Sequence, residues 1–326
     1  MKEKIITKKI LKWYDLNKRS LPWRKKVSLE KKQYYTLVSE FMLQQTQVTT
    51  VIPFFNRFIK DLPSINSLSK VNEKKLIKLW EGLGYYSRAR NLKKTAQTII
   101  KNFNGKLPNN SEDLLTLPGV GNYTANAILA IAFNKPYIPL DGNIERVLKR
   151  YLYLKKEKEI QKNNLVKKKI IFGTTLRSSD YAQALMELGA LICKPSNPIC
   201  DQCPIRKNCK SYSKKDFTLI KNAKKNKDKY FILKVYKKDQ KYLLIKNTKF
   251  NFLKNLSIFP MEELNNPKNF NENLNFRMSN MNMNIKIQYS KDNQKFPSSY
   301  WFDRKKLNSY MLPSFTKKVV QYLEKN

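Results

Sequence analysis

The four cysteines of this 326-residue chain are Cys193, Cys200, Cys203 and Cys209, spaced C-x6-C-x2-C-x5-C, and there are no others. A cytoplasmic chain rarely keeps disulfides, so this dense set points to a metal rather than to two cross-links. Four thiolates suit either zinc or an iron–sulfur cluster. Structural zinc sites usually pair C-x2-C knuckles across a longer gap, and only one such pair exists here. Pro195, Pro198 and Pro204 keep the segment a tightly wrapped loop. The spacing therefore favours a 4Fe–4S cluster over zinc. The chain has no histidine. That excludes a Ser-His-Asp triad and His-ligated zinc, and leaves acid–base work to carboxylates, Lys or Tyr.

A second constellation is Leu117-Pro118-Gly119-Val120-Gly121, followed by Asn122-Tyr123-Thr124-Ala125. Leu114 and Leu115 close one helix, and Ala125–Phe133 form the next. Gly119 and Gly121 permit backbone dihedrals that other residues resist. Such a hairpin aims free N–H groups outward at a helix start, which suits a phosphate, although an ordinary packing loop has the same sequence pattern. Twenty residues on comes Leu140-Asp141-Gly142-Asn143-Ile144. Asp141 precedes a helix start, so it is either a functional carboxylate or an N-cap.

These residues need a frame. Apolar positions recur at near-helical spacing through residues 1–210. Helices are expected over Lys4–Asn17, from Tyr34 through Leu43 and Val51 with a new turn at Pro53, and over Ser64–Leu68, Glu73–Trp80 and Arg88–Ile100. Residues 211–228 read as a basic linker. Residues 229–326 read as a smaller α+β domain. Tyr230–Val235 and Tyr242–Ile245 are its first strands, joined by the turn KKDQK, and Ser314–Glu324 is its final helix. The fold class is thus mainly α with a small C-terminal α+β domain. Lys and Arg number 65 against 25 Asp and Glu, a net charge of +40. That balance suits a polyanion, although the Asn-rich stretch 265–284 shows that composition alone accounts for part of it. The longest strongly apolar run, Ala127–Phe133, is far short of the ~20 residues a membrane span needs. The charged N-terminus lacks a signal-peptide core. A soluble, cytoplasmic protein is expected.

Taken together, LPGVG, LDGN and the cysteine spacing resemble the endonuclease III (helix-hairpin-helix, HhH-GPD) superfamily of DNA glycosylases. The stretches Leu21-Pro22-Trp23-Arg24, Ser39-Glu40-Phe41-Met42-Leu43-Gln44-Gln45-Thr46-Gln47-Val48 and Gly82-Leu83-Gly84-Tyr85-Tyr86-Ser87-Arg88 resemble its MutY-type adenine glycosylase branch. The match runs over residues 10–210. The resemblance implies a bacterial base-excision-repair enzyme, nucleoid-associated and monomeric. Its substrate would be duplex DNA carrying adenine opposite 8-oxoguanine or guanine, and its cofactor one 4Fe–4S cluster. Bifunctional members carry a lysine two residues after the second hairpin glycine. Here that position is Tyr123, which cannot form a Schiff base, so base removal without strand cleavage is expected.

By the same resemblance, Glu40 is the general acid on the adenine ring. Phe41, Met42 and Leu43 beside it make a partly apolar pocket that would keep it protonated. Asp141 stabilises the cationic sugar. Tyr123 and Asn143 orient the sugar site. Trp23, Arg24, Leu43 and Val48 form the base pocket. Gln45 fills the gap left by the flipped base, Tyr85 wedges beside the opposing base, and Gly119 and Gly121 carry the DNA-contacting hairpin. Residues 229–326 resemble a degenerate Nudix-like lesion-reading domain. Its recognition loop stands here as Asn280-Met281-Asn282, without aromatic or ring nitrogen, and no Nudix hydrolase signature is present. The competing readings are a bifunctional endonuclease III-type lyase and a non-catalytic DNA-binding relic.

Overall fold

The computed structural model describes residues 5–155, 175–218 and 227–325, apart from 266, 268, 279–280, 291–295 and 307–311. They divide into two compact units, residues 1–73 with 87–221 and residues 74–86 with 222–326. The segment 74–86, expected within the helical region, packs with the second unit.

The first unit is helical. Its helices in chain order are α1 (Ile5–Asn17), α2 (Leu29–Leu43), α3 (Val48–Asp61) and α4 (Ile65–Lys70). α5 (Glu73–Trp80) leads into the segment that packs with the second unit. Then follow α6 (Ser87–Asn102), α7 (Ser111–Thr116), α8 (Asn122–Ala127), α9 (Gly142–Leu152), α10 (Ser178–Glu187) and the short α11 (Lys210–Ser213). α8 and α10 each continue into one wider π turn, Ile128–Ala132 and Leu188–Ile192. Single π turns of this kind are frequent at functional sites.

α9 shows how sequence sets position. Ile144, Val147, Leu148 and Tyr151 fall on one face and are buried. They meet Ile10, Leu11 and Tyr14 of α1 and Tyr181, Leu185 and Leu188 at the α10 end in one core. Asp141 caps the start, with its Oδ1 accepting from the Ile144 N–H at 2.7 Å. Glu145 in the first turn and Lys149 and Arg150 in the last suit the helix dipole.

One helix boundary differs from expectation. The break comes at residues 44–47, and α3 runs through Pro53 without a stop. The buried Arg88 side chain explains it. Its Nη1 donates to the carbonyls of Phe41 (3.2 Å), Met42 (2.8 Å) and Gln44, taking up the orphan acceptors that end α2. Gln45 then turns left-handed, at φ 56°.

The second unit holds two sheets. One has the order β5 (Met261–Leu264), β1 (Lys227–Val235), β7 (Met281–Tyr289), β6 (Leu274–Met278). Only its β1–β7 pair is parallel. The other runs β2 (Lys237–Lys238), β3 (Lys241–Lys246), β4 (Ser257–Ile258), with β8 (Ser299–Asp303) also on β3. α12 (Ser314–Leu323) contributes Phe315, Val319 and Val320 to the core between Phe231, Leu244, Phe259, Ile285 and Phe302. The two expected strands exist but do not form one hairpin. β1 gives both edges to β5 and β7, so the turn at Asp239 joins β2 to β3 instead. The expected recognition loop is also corrected in part. Met281 and Asn282 lie in β7, opposite Lys227 and Asp228, and the Asn282 amide donates to Asp228 at 2.8 Å. Asn280 lies outside the described residues, as does 219–226 of the expected linker.

Candidate active site

A cavity of about 750 Å³ opens in the first unit. Glu40, Tyr123, Asp141 and Asn143 line it together with Trp23, Arg24, Leu43, Gln45 and Val48. They come from the turn Pro22–Arg24, the end of α2, the 44–47 loop, the start of α3, the start of α8 and the N-cap and start of α9.

Glu40 is 5% exposed, and its Oε2 has no hydrogen-bond partner. Burial pushes its carboxyl up to about 7. The Tyr123 hydroxyl and Arg24 pull the other way, and Asp141 adds to the rise. A group so placed holds a proton near neutrality and has a free oxygen from which to give it. Tyr123 itself is held far above the usual phenol range by burial, by Glu40 and by Asp141, so it stays a neutral donor.

Asp141 is raised by burial, while the Ile144 N–H and the Asn143 amide favour its ionised form. Its Oδ1 is used by the cap, and its Oδ2 accepts from Asn143 Nδ2 at 2.9 Å. The capping and functional readings of this residue are therefore compatible. Asn143 Oδ1 in turn accepts from Arg146 Nη2 at 2.7 Å. Arg146 spans to the far side, donating to the carbonyls of Gly189 (2.7 Å) and Cys193 (2.6 Å). Gly189 sits so close that a Cβ there would stand 2.6 Å from the Asn143 Cβ, so the π turn needs a glycine at this point.

The hairpin is pinned from outside. Thr95 Oγ1 donates to the Pro118 carbonyl at 2.7 Å, and Gln44 Nε2 donates to the Gly119 carbonyl at 3.4 Å. Gly119 has φ 79°, and a Cβ there would meet Asn91 at 2.9 Å and Phe41 at 3.0 Å. Gly121 faces open space. Neither glycine lines the cavity, whereas Tyr123 two residues on does. Tyr85 belongs to the second unit, is 41% exposed and is left-handed at φ 49°.

Sequence reasoning missed the cavity wall behind Arg24. Glu187, at the end of α10, is fully buried. It accepts from Arg19 Nε at 2.8 Å and Arg19 Nη2 at 2.9 Å, and pairs with Arg24 Nη2 at 2.9 Å. The signal was visible as one acid in the apolar run Ala182–Ile192. Arg146 was also missed. Its signal is i+3 spacing from Asn143, which puts both on one helix face.

Cys193, Cys200, Cys203 and Cys209 line one small cavity with Arg150 and Phe217. Among the described residues, no three Cys, Asp or Glu side chains are gathered to hold a single metal ion. A cluster takes one thiolate per iron, so it needs sulfurs around a space rather than at a point. Arg150 supports the fit. It is 3% exposed, and it donates to the carbonyls of Lys194, Pro195 and Phe217 and to the Cys193 sulfur at 3.5 Å. A buried guanidinium of this kind calls for negative charge beside it, which ionised thiolates supply.

The HhH-GPD superfamily base excision DNA repair protein model matches residues 38–170. Adenine DNA glycosylase of Buchnera aphidicola subsp. Baizongia pistaciae is 44% identical over 67% of this chain and 61% of its own length. That of Buchnera aphidicola subsp. Schizaphis graminum is 38% identical over 78% of this chain and 74% of its own length. The Homo sapiens enzyme is 39% identical over 62% of this chain and 38% of its own. Among solved structures, a thermostable thymine-DNA glycosylase aligns at TM-score 0.58 and 27% identity, over 64% of this chain and 96% of that one. Endonuclease III bound to DNA shares the fold at TM-score 0.53 and 22% identity, over 66% of this chain and 98% of that one. Among the described residues no helix is long and apolar enough to cross a membrane. With relatives named alike across bacteria and animals, and with the family model matched over residues 38–170, this chain belongs to the adenine DNA glycosylase family of the HhH-GPD superfamily.

Proposed function

We propose that this chain removes adenine from duplex DNA by hydrolysing its N-glycosidic bond, at adenine opposite 8-oxoguanine or guanine, and leaves the strand uncut. The observation that carries the reading is Glu40: buried, raised to about 7, and with one oxygen unpartnered in the cavity that also holds Asp141.

A purine leaves a sugar poorly as an anion. Once flipped into the cavity, its N7 takes the Glu40 proton, and the base departs neutral. The C1′–N9 bond breaks and the sugar becomes oxocarbenium-like. Asp141 faces it as a carboxylate, held in place by Ile144 N–H and Asn143. Water adds at C1′ and gives its proton to the now ionised Glu40, which restores the acid and completes the hydrolysis. Tyr123 has no amine, so no Schiff base forms and no elimination follows. The resulting abasic site persists until another enzyme or alkali cuts it.

The cysteine loop would hold a 4Fe–4S cluster through Cys193, Cys200, Cys203 and Cys209, which supplies a rigid, buried anchor and no hydrolytic chemistry. Lys194, Arg206, Lys207 and Lys210 on that loop suit the phosphate backbone. The second unit acts as a degenerate Nudix-like lesion reader, and the enzyme works as a monomer.

The test is a nicking assay on a duplex with adenine opposite 8-oxoguanine, with and without hot alkali. Cleavage only after alkali is expected. Cleavage without alkali would mean a lyase, and no cleavage in either arm would mean a relic.

A further inference from the structure

The wall behind Arg24 carries a buried charge that the reaction as proposed does not use. Burying a carboxylate is costly unless it is paired and hydrogen-bonded. Glu187 is fully buried at the end of α10, a helix that also sends Tyr181, Ala184 and Leu185 into the apolar core. A core role would be filled better by leucine. Its contacts point instead to the cavity. It holds Arg19 through both of its oxygens and Arg24 through Oε1, and all three residues line the cavity with Glu40. Arg24 Nη1 also donates to the Arg19 carbonyl at 3.4 Å, and its guanidinium lies 6.0 Å from the Tyr14 ring centroid. Both arginines are thus oriented by one carboxylate.

The electrostatic consequence concerns Glu40. Three elements bring ionisable groups to it: α8 brings Tyr123, the α9 N-cap brings Asp141, and the 22–24 turn brings Arg24. Arg24 is the cation of the set and favours the ionised form, which is the wrong form for a proton donor. Behind Arg24 stand Arg19 and Glu187. With Glu187 the wall carries one net positive charge, and without it two.

We propose that Glu187 is a positioning residue for base excision: it clamps Arg19 and Arg24 in the cavity wall and offsets their charge so that Glu40 keeps its proton. This rests on Glu40 being the acid.

The test is the pH profile of single-turnover adenine excision by Glu187→Gln, with Glu40→Gln and the unsubstituted full chain measured beside it. Excision requires protonated Glu40, so the rate falls as pH rises through the Glu40 midpoint. In Glu187→Gln that midpoint should move down by about one pH unit. The variant should then lose about tenfold in rate at pH 8 and little at pH 6, and Glu187→Asp should bring the midpoint back. A rate lowered equally at every pH, with the midpoint unmoved, would make Glu187 merely structural and overturn the proposal. If Glu187→Gln does not fold, Arg19→Gln carries the test. It leaves Glu187 paired with Arg24 alone, so the midpoint should move up, and an unmoved midpoint overturns the proposal. Should Glu40→Gln retain full activity, the failure lies in the acid assignment and not in Glu187.

Discussion

Arg146 donates through Nε to the main-chain carbonyl of Cys193 at 2.6 Å. Its Nη2 reaches Asn143, which holds Asp141. One guanidinium therefore joins the cysteine loop to the carboxylate proposed to face the sugar cation.

Removing that guanidinium has two costs. Arg146→Ala leaves the Gly189 and Cys193 carbonyls and the Asn143 oxygen without their donor. Loss of about 1–3 kcal/mol is expected from unsatisfied, partly buried acceptors. Excision should fall at least about tenfold, since Asn143 is then free to turn from Asp141. Thermal melting and single-turnover excision check both. Unchanged excision would detach the loop from the site.

Glu40 links stability to pH. Its folded carboxyl is raised to about 7 from an ordinary value of 4.5, so the folded state binds that proton more tightly than the unfolded chain does. The associated stability is fully present below the unfolded value and is lost as pH rises toward 7. Burial raises Asp141 in the same direction. Glu40→Gln removes the Glu40 contribution. The variant should therefore gain on the wild type as pH rises from 4.5 to 7, by on the order of 2–3 kcal/mol at pH 8. Denaturant melts at pH 5 and 8 measure it. A difference independent of pH would place the Glu40 carboxyl in water.

Tyr123 lines the cavity with a phenol and offers no amine to attack the sugar. Borohydride should trap no covalent protein–DNA complex above background, and a strong band on a denaturing gel would contradict the monofunctional reading.

The cysteine loop should bring iron with it. Purified protein should be yellow-brown and contain about four irons per chain. Cys203→Ala should lose colour and metal together. Stoichiometric zinc in a colourless protein would overturn the cluster.

Lesion preference should be weak. Met281 and Asn282 are strand residues, and the Asn282 amide is already engaged by Asp228. The +40 charge meanwhile strengthens binding to any duplex. The ratio of excision opposite 8-oxoguanine to excision opposite guanine should be small, and Asn282→Ala should change it less than about twofold. A large ratio abolished by that substitution would restore the lesion-reading role to this residue.

Much of the candidate site was legible because the residues expected there are rare types in tight local patterns. Cysteine spacing, the glycine hairpin and the Asp141 position are all short-range features. What stayed hidden depends on distant partners. Glu187 and Arg19 are separated by 168 positions, and no local pattern relates them. The end of α2 at residue 43 is set by Arg88, not by a breaker in the helix, so Pro53 misled. β1 was readable from its alternation, with Phe231, Leu233 and Val235 inward, but its parallel partner β7 begins at residue 281. Strand identity is local, whereas strand pairing is decided by which distant edge is left open.

The proposed excision turns on a buried, protonated Glu40. Single-turnover excision by Glu40→Gln on a duplex with adenine opposite 8-oxoguanine, alongside its affinity for the same duplex, tests it most directly. Affinity within a few-fold of wild type is expected, with excision reduced by about 10²–10⁴-fold or more, the range general acids supply. Excision at a near-wild-type rate would contradict it.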